Sequence, residues 1–127
     1  MRDRRAGCNH MPTETDIQNA IRIEATRQGC RLFRNNVGVL KDARGHRVAY
    51  GLCPGSSDLI GWTPRTITAD DVGRTVAVFT AIEVKRPGQR MQPHQARFVE
   101  QVQQHGGIAG MADSVGRAVE IMKGHTR

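Results

Sequence analysis

Cysteine is scarce in this chain and falls into no pairs. Cys8, Cys30 and Cys53 are odd in number and widely spaced, with no C-x-x-C arrangement. That argues against a disulfide framework and against a cysteine zinc site, and it suits a reducing compartment. The five histidines have no ligand spacing, and no H-N-H pattern occurs. No apolar run approaches the roughly 18 residues of a membrane span, and the opening residues lack the apolar stretch of a signal peptide. Repeats and low-complexity segments are also missing. Acid is short as well: 12 Asp and Glu stand against 19 Lys and Arg, a net charge of +7. With a pI near 10.4, the balance points to a polyanionic partner, nucleic acid first among them. Residues 1–10 carry three Arg and one Asp, so most of the excess lies in the rest of the chain.

What is there suffices for one domain of 127 residues with a single core. "MRDRRAGCNHMP", residues 1–12, reads as a disordered basic arm, with Met11 as an alternative start. The domain is expected over residues 13–123. Thr13 and Asp16 have capping-box spacing. Ile17, Ala20, Ile21 and Ala25 then recur at helical period until Gly29. That stripe also takes in Glu14, which predicts a carboxylate on the inward, apolar face.

"CRLFRNNVGVL" reads as a strand from Arg31 that fades at Asn35-Asn36. It could form a hairpin with "RVAYG" across the charged turn "KDARGHR". A Pro-Gly turn and a short strand from Asp58 to Trp62 follow, then a polar loop, "TPRTITADDVGR". "TVAVFTAIEVK" is the strongest strand signal and predicts a long central strand. Pro93 opens a helix that ends at Gly106-Gly107, "GIAGMAD" predicts a buried strand, and Asp113 or Ser114 can cap a last helix through Met122. The expected order is α-β-β-β-α-β-α, an α/β fold with a mixed sheet flanked by helices.

The chemistry lies in "AIEVKRPGQRMQPHQARF". Alternation on a strand puts Glu83 and Lys85 on one face, with Ile82 and Val84 turned to the core. If the Asp58 strand is a neighbour, Asp58 and Glu83 converge. Two carboxylates can hold a hard ion such as Mg²⁺. Lys85 can then act on the attacking water or on phosphorane charge. The plain alternative is a solvated charge pair, but the flanking run is too apolar for a solvated strand. For Glu14 the plain alternative is an acid favoured by the helix dipole, and Glu24 is its rival on the first helix. Arg31, Arg34, Asn35, Asn36, Arg44, Arg47, Arg86, Arg90 and Arg97 are candidate phosphate contacts, or else scattered solubilising groups. Tyr50 and Trp62 read as packing residues.

The spacing D-(x24)-E-x-K resembles the signature of the PD-(D/E)xK nuclease superfamily. The blocks "TETDIQNAI", "LFRNNVG", "YGLCPGSSDLIGW", "AIEVKRPGQRMQPHQARF" and "GGIAGMADSVGRAVEI" are similar to those of the virus-type replication-repair nuclease (VRR-NUC) domain in its small, stand-alone phage form. The resemblance spans about Thr13 to Met122. It implies Asp58, Glu83 and the backbone carbonyl of Val84 as metal ligands, with Glu14 as a further candidate. It implies Lys85 as the catalytic lysine, and it assigns Glu14 and Gln95 to the catalytic set. It further implies a Mg²⁺-dependent DNA endonuclease, with Mn²⁺ as substitute, acting on branched DNA such as Holliday junctions. A homodimer in the cytoplasm of a bacterium or phage-infected cell is the expected setting. One departure stands out: Ser57 occupies the place of the proline expected directly before the aspartate, and Pro54 lies three positions earlier. Competing readings are a nickase or restriction-like nuclease on the same fold, and a non-catalytic DNA-binding module.

Overall fold

The computed structural model describes residues 11–124. Residues 1–10 of the expected arm lie outside the described residues. Helices and strands are mixed, and the chain divides into two compact units, one ending at Thr63 and one beginning at Pro64.

The first unit opens with helix α1, Glu14–Arg27. The expected cap is formed: the Asp16 N–H donates to the Thr13 hydroxyl at 3.1 Å, and the Thr13 N–H donates to the Asp16 carboxylate at 2.9 Å. The bond from the Thr13 backbone, and then its hydroxyl, hold the Asp16 carboxyl below its ordinary value. Gly29 ends the helix at φ 79°, a left-handed conformation natural to glycine.

The stripe expected to face inward does not. Glu14, Ile17 (47%), Ala20 and Ile21 (45%) are exposed and of the stripe only Ala25 is partly covered, whereas Gln18 and Arg22 on another face are partly covered. Arg22 Nε donates to the Leu32 carbonyl at 3.4 Å, fixing that other face on the following strand. The sheet beneath α1 is only two strands wide, too narrow to cover every apolar position of a helix face.

Strands β1 (Arg31–Arg34), β2 (Gly38–Lys41), β3 (Arg47–Tyr50) and β4 (Leu59–Trp62) complete this unit. The segment expected to be one strand is two. β2 pairs with β3 in an antiparallel hairpin, and β1 pairs antiparallel with β4, Arg31 opposite Trp62 and Arg34 opposite Leu59. The hairpin turn is built on Asp42, whose carboxylate accepts from the Arg44 and His46 N–H groups at 2.9 and 2.8 Å. Phe33 and Trp62 meet edge to face at 5.5 Å, so Trp62 packs here.

In the second unit the loop after Pro64 is less solvated than its composition suggests. Asp71, within a 3₁₀ turn at Ala69–Asp71, is buried. Its carboxylate accepts from Arg65 at 2.8 Å, Arg74 at 3.1 Å and the Thr68 N–H at 3.0 Å, as a buried carboxylate requires.

Strand β5 is Thr80–Val84, half the length expected, and Val76 and Val78 are exposed. It pairs in parallel with β6, Ile108–Ala112, from Thr80 opposite Ile108 onward. The partner begins only after the turn at Gly106, and a strand lasts no longer than its ladder.

Helix α2, Pro93–Gln104, crosses between these two strands, and α3, Val115–Met122, is capped by Ser114. A Cβ on Gly110 would come within 2.9 Å of Ile121 Cδ1, so glycine there lets α3 sit close on the strand. The buried apolar residues Val99, Val102, Ala109, Ala112 and Ile121 all belong to this unit.

The α/β class therefore holds. The strands of the described residues form three two-stranded ladders, and five strands precede α2 where three were expected.

Candidate active site

Glu83 is the fourth residue of β5, and Lys85 follows the end of the strand. The Lys85 N–H still donates to the Ala112 carbonyl at 3.0 Å, so the ladder carries both side chains to the same side. Lys85 Nζ lies 3.7 Å from Glu83 Oε1, with the side chains only 18% and 30% exposed. This is not a solvated pair. A carboxylate and an ammonium held together under partial cover keep a charge arrangement that water would otherwise screen.

Val84 departs from expectation. It is 75% exposed rather than turned to the core. Val84 is the last residue of β5, where cover runs out, whereas Ile82 is partly covered and pairs with Gly110, the strand residue on which Ile121 of α3 sits. The exposure leaves the Val84 position open at the strand end, beside Glu83.

After Lys85 the chain reverses at Arg86–Gln89. Gly88 has φ 84°, the Gln89 N–H donates to the Arg86 carbonyl, and Gln89 Oε1 accepts from the Arg86 N–H, each at 3.1 Å. Proline followed by glycine is the pair such a turn demands. Gln95 sits in the first turn of α2, and its Oε1 accepts from the Gln92 N–H at 2.8 Å. Its oxygen caps the helix, while its amide nitrogen remains able to donate to water or phosphate.

Asp58 belongs to the first unit and is exposed, directly before β4. A second Pro-Gly turn precedes it: the Ser56 N–H donates to the Cys53 carbonyl at 3.1 Å, with Gly55 at φ 83°. The displaced proline thus serves the turn at position 54, and Ser57 links the turn to Asp58. The Asp58 carbonyl accepts from the Asn35 N–H at 2.8 Å, extending the β1–β4 ladder by one rung. Each Pro-Gly turn therefore flanks one of the candidate acids.

Glu14 stands in the first turn of α1. Its rival Glu24 is engaged locally, accepting from Gln28 at 3.0 Å and pairing with Arg27 at 3.6 Å on the exposed helix surface. Arg31, Arg34, Asn36, Arg47, Arg86, Arg90 and Arg97 are exposed. None of these arginines is ion-paired to a carboxylate among the described residues, which leaves their charge available to phosphate. Arg31 lies over the Phe33 ring at 5.5 Å.

Asn35 differs from them. It is half-buried, and its carboxamide donates to Ser56 Oγ and the Ser57 carbonyl and accepts from the Leu52 N–H. Gln18, unremarked in the sequence, carries a buried carboxamide oxygen with no hydrogen-bond partner among the described residues, one turn beyond Glu14. Periodicity gives no signal for it, because a lone glutamine among polar neighbours looks like helix surface.

An acid and an amine thus lie two residues apart at the end of β5, with a Pro-Gly turn directly after them. Residues 12–116 match the VRR-NUC domain family. The chain belongs to it. The match covers most of the 127 residues and runs through both units. The VRR-NUC family is a family of nucleases, and its domain implies DNA as substrate. No curated protein and no solved structure matches the chain. Among the described residues no helix is long and apolar enough to cross a membrane.

Proposed function

We propose that this VRR-NUC chain is a divalent-metal-dependent endonuclease that hydrolyses phosphodiester bonds in branched DNA, Holliday junctions included. The observation that carries the reading is the Glu83–Lys85 pair, 3.7 Å apart and largely covered at the end of β5. Asp58, Glu83 and the Val84 carbonyl would hold the metal, with Glu14 as a further oxygen donor.

The donor set suits a hard ion. It consists of carboxylate and carbonyl oxygens, with no thiolate or imidazole. Among the described residues no three His, Cys, Asp or Glu side chains gather as a metal-holding group. Carboxylate and carbonyl oxygens suit Mg²⁺ or Mn²⁺, which retain several waters, rather than a four-ligand zinc site. When bound, such an ion neutralises phosphoryl charge and lowers the pKa of a coordinated water.

The chain's own groups do the rest. Lys85 orients the attacking water or offsets charge on the pentacovalent phosphorane. Gln95 offers its amide nitrogen to water or phosphate. Arg31, Arg34, Arg47, Arg86, Arg90 and Arg97 contact the backbone, which positions DNA without reading its bases. A homodimer would present two sites to the two strands of a symmetric junction. The PD-(D/E)xK strand arrangement is part of the same reading.

The test is a cleavage panel: purified protein with Mg²⁺ or Mn²⁺ on a four-way junction, a flap and a linear duplex, each with an EDTA control. Metal-dependent cutting of the junction in preference to the duplex is expected. Cutting that survives EDTA, or a protein that binds every substrate and cuts none, overturns the proposal.

A further inference from the structure

Residues 51–58 lead from β3 to the candidate ligand Asp58, and a residue from outside the loop grips them at several points. The Asn35 carboxamide nitrogen donates to Ser56 Oγ at 2.7 Å and to the Ser57 carbonyl at 2.9 Å. Its oxygen accepts from the Leu52 N–H at 3.1 Å. Its backbone N–H donates to the Asp58 carbonyl at 2.8 Å. Ser56 is held in turn, its hydroxyl donating to the Cys53 carbonyl at 2.8 Å. Both donors of the carboxamide are thereby used inside the protein. Beside them, Gly51 at φ 83° brings the chain so close to Asn36 and Val37 that a Cβ would lie 2.5 Å from the Asn36 carbonyl oxygen.

This grip matters because of Ser57. A proline directly before the aspartate would fix its own φ and restrict the residue ahead of it. Serine fixes neither, so the backbone entering Asp58 must be held by something else. The Asn35 carboxamide bonds to both residues that precede Asp58, and the Asn35 backbone bonds to Asp58 itself.

We infer that Asn35 is a positioning residue that orients Asp58 for metal binding, rather than a contact to DNA. The inference rests on the reading of Asp58 as a metal ligand. Groups that orient ligands in this way typically account for 10–100-fold in metal affinity.

The experiment is a Mn²⁺ titration of the full chain, following the free-ion signal by electron paramagnetic resonance, paired with junction cleavage across the same Mn²⁺ range. In Asn35→Ala, Mn²⁺ affinity should fall about tenfold, and cleavage should recover as Mn²⁺ is raised. Melting of Asn35→Ala without metal, followed by circular dichroism, should match the wild type, which separates lost positioning from a folding defect that metal would also rescue by mass action. In the double variant with Asp58→Asn, loss of Asn35 should add nothing to the loss from Asp58→Asn alone.

Unchanged Mn²⁺ affinity in Asn35→Ala, with Asp58→Asn impaired, overturns this inference and leaves the metal site standing. An equal further loss in the Asp58→Asn background also overturns it, since Asn35 would then act elsewhere. Wild-type Mn²⁺ binding by Asp58→Asn overturns the ligand reading itself, and the inference with it. If Asn35→Ala does not fold, Ser56→Ala decides, because it removes one of the three carboxamide bonds. A weakening of Mn²⁺ binding smaller than that expected of Asn35→Ala sustains the inference, and none overturns it.

Discussion

Replacing Lys85 by methionine removes the amine while keeping an unbranched stem of similar length. Two free energies compete in the outcome. The first is the ground-state pair with Glu83 at 3.7 Å. Partly exposed pairs of this kind contribute about 1 kcal/mol net, because desolvation and side-chain ordering offset most of the Coulomb gain. The second is the transition state. A group acting on the attacking water or the phosphorane charge typically accounts for about 10²–10³ in rate, or about 2.7–4 kcal/mol. The second term is larger. Stability should therefore change little, while cleavage falls by two to three orders of magnitude, on the order expected for such a group. DNA affinity should hardly move, since one of 19 basic residues is lost, and one phosphate contact shifts the salt slope by about 1 at most. The assay is single-turnover junction cleavage at saturating Mn²⁺, with binding measured in EDTA and melting followed by circular dichroism. Lys85→Arg should also fail, because a broad, permanently charged fork cannot replace a compact amine. Wild-type cleavage by Lys85→Met would refute a catalytic role for Lys85.

Other consequences can be measured independently. Junction binding in EDTA should weaken steeply as salt rises, since the exposed arginines displace counterions; a flat response points to a partner other than nucleic acid. Glu83→Gln should abolish cleavage and weaken Mn²⁺ binding while leaving salt-dependent DNA binding in place, and calorimetric titration with Mn²⁺ checks it. Gly51→Ala should destabilise the protein by about 3 kcal/mol, combining a left-handed backbone with overlap on Asn36 and Val37. Gly45→Ala, at φ 82° with open space around it, should cost about 1 kcal/mol; urea denaturation of both tests the contrast. Asp71→Ala should cost about 2 kcal/mol through loss of the Thr68 bond, since Arg65 and Arg74 are each 56% exposed and can return to water. An unchanged urea midpoint would show that this buried carboxylate holds nothing.

The sequence by itself determined the helices and the chemical identity of the candidate site. Thr13 with Asp16, Pro93, and Ser114 each announced a helix start, and α2 and α3 begin where those residues place them. These signals are local: a cap or a helical bond involves residues three or four apart, so a short stretch of chain contains the whole cause. Glu83 and Lys85 were legible for the same reason, since strand alternation alone puts positions two apart on one side.

Which strand pairs with which was a tertiary outcome. The hairpin of "CRLFRNNVGVL" with "RVAYG" was legible, and β2 with β3 forms it; nothing in the segment states that its first half finds a separate partner at Leu59–Trp62. The inward turn assigned to Glu14 and Val84 failed likewise, because cover depends on how far a neighbouring element reaches. Asn35 shows the limit most plainly. In the sequence it is one polar residue among the candidate phosphate contacts. Folding brings it against residues 52–58, some twenty positions away, where its carboxamide holds the approach to Asp58. Hydrogen bonds between residues so distant in sequence depend on the pairing of β1 with β4, and only the folded chain decides that.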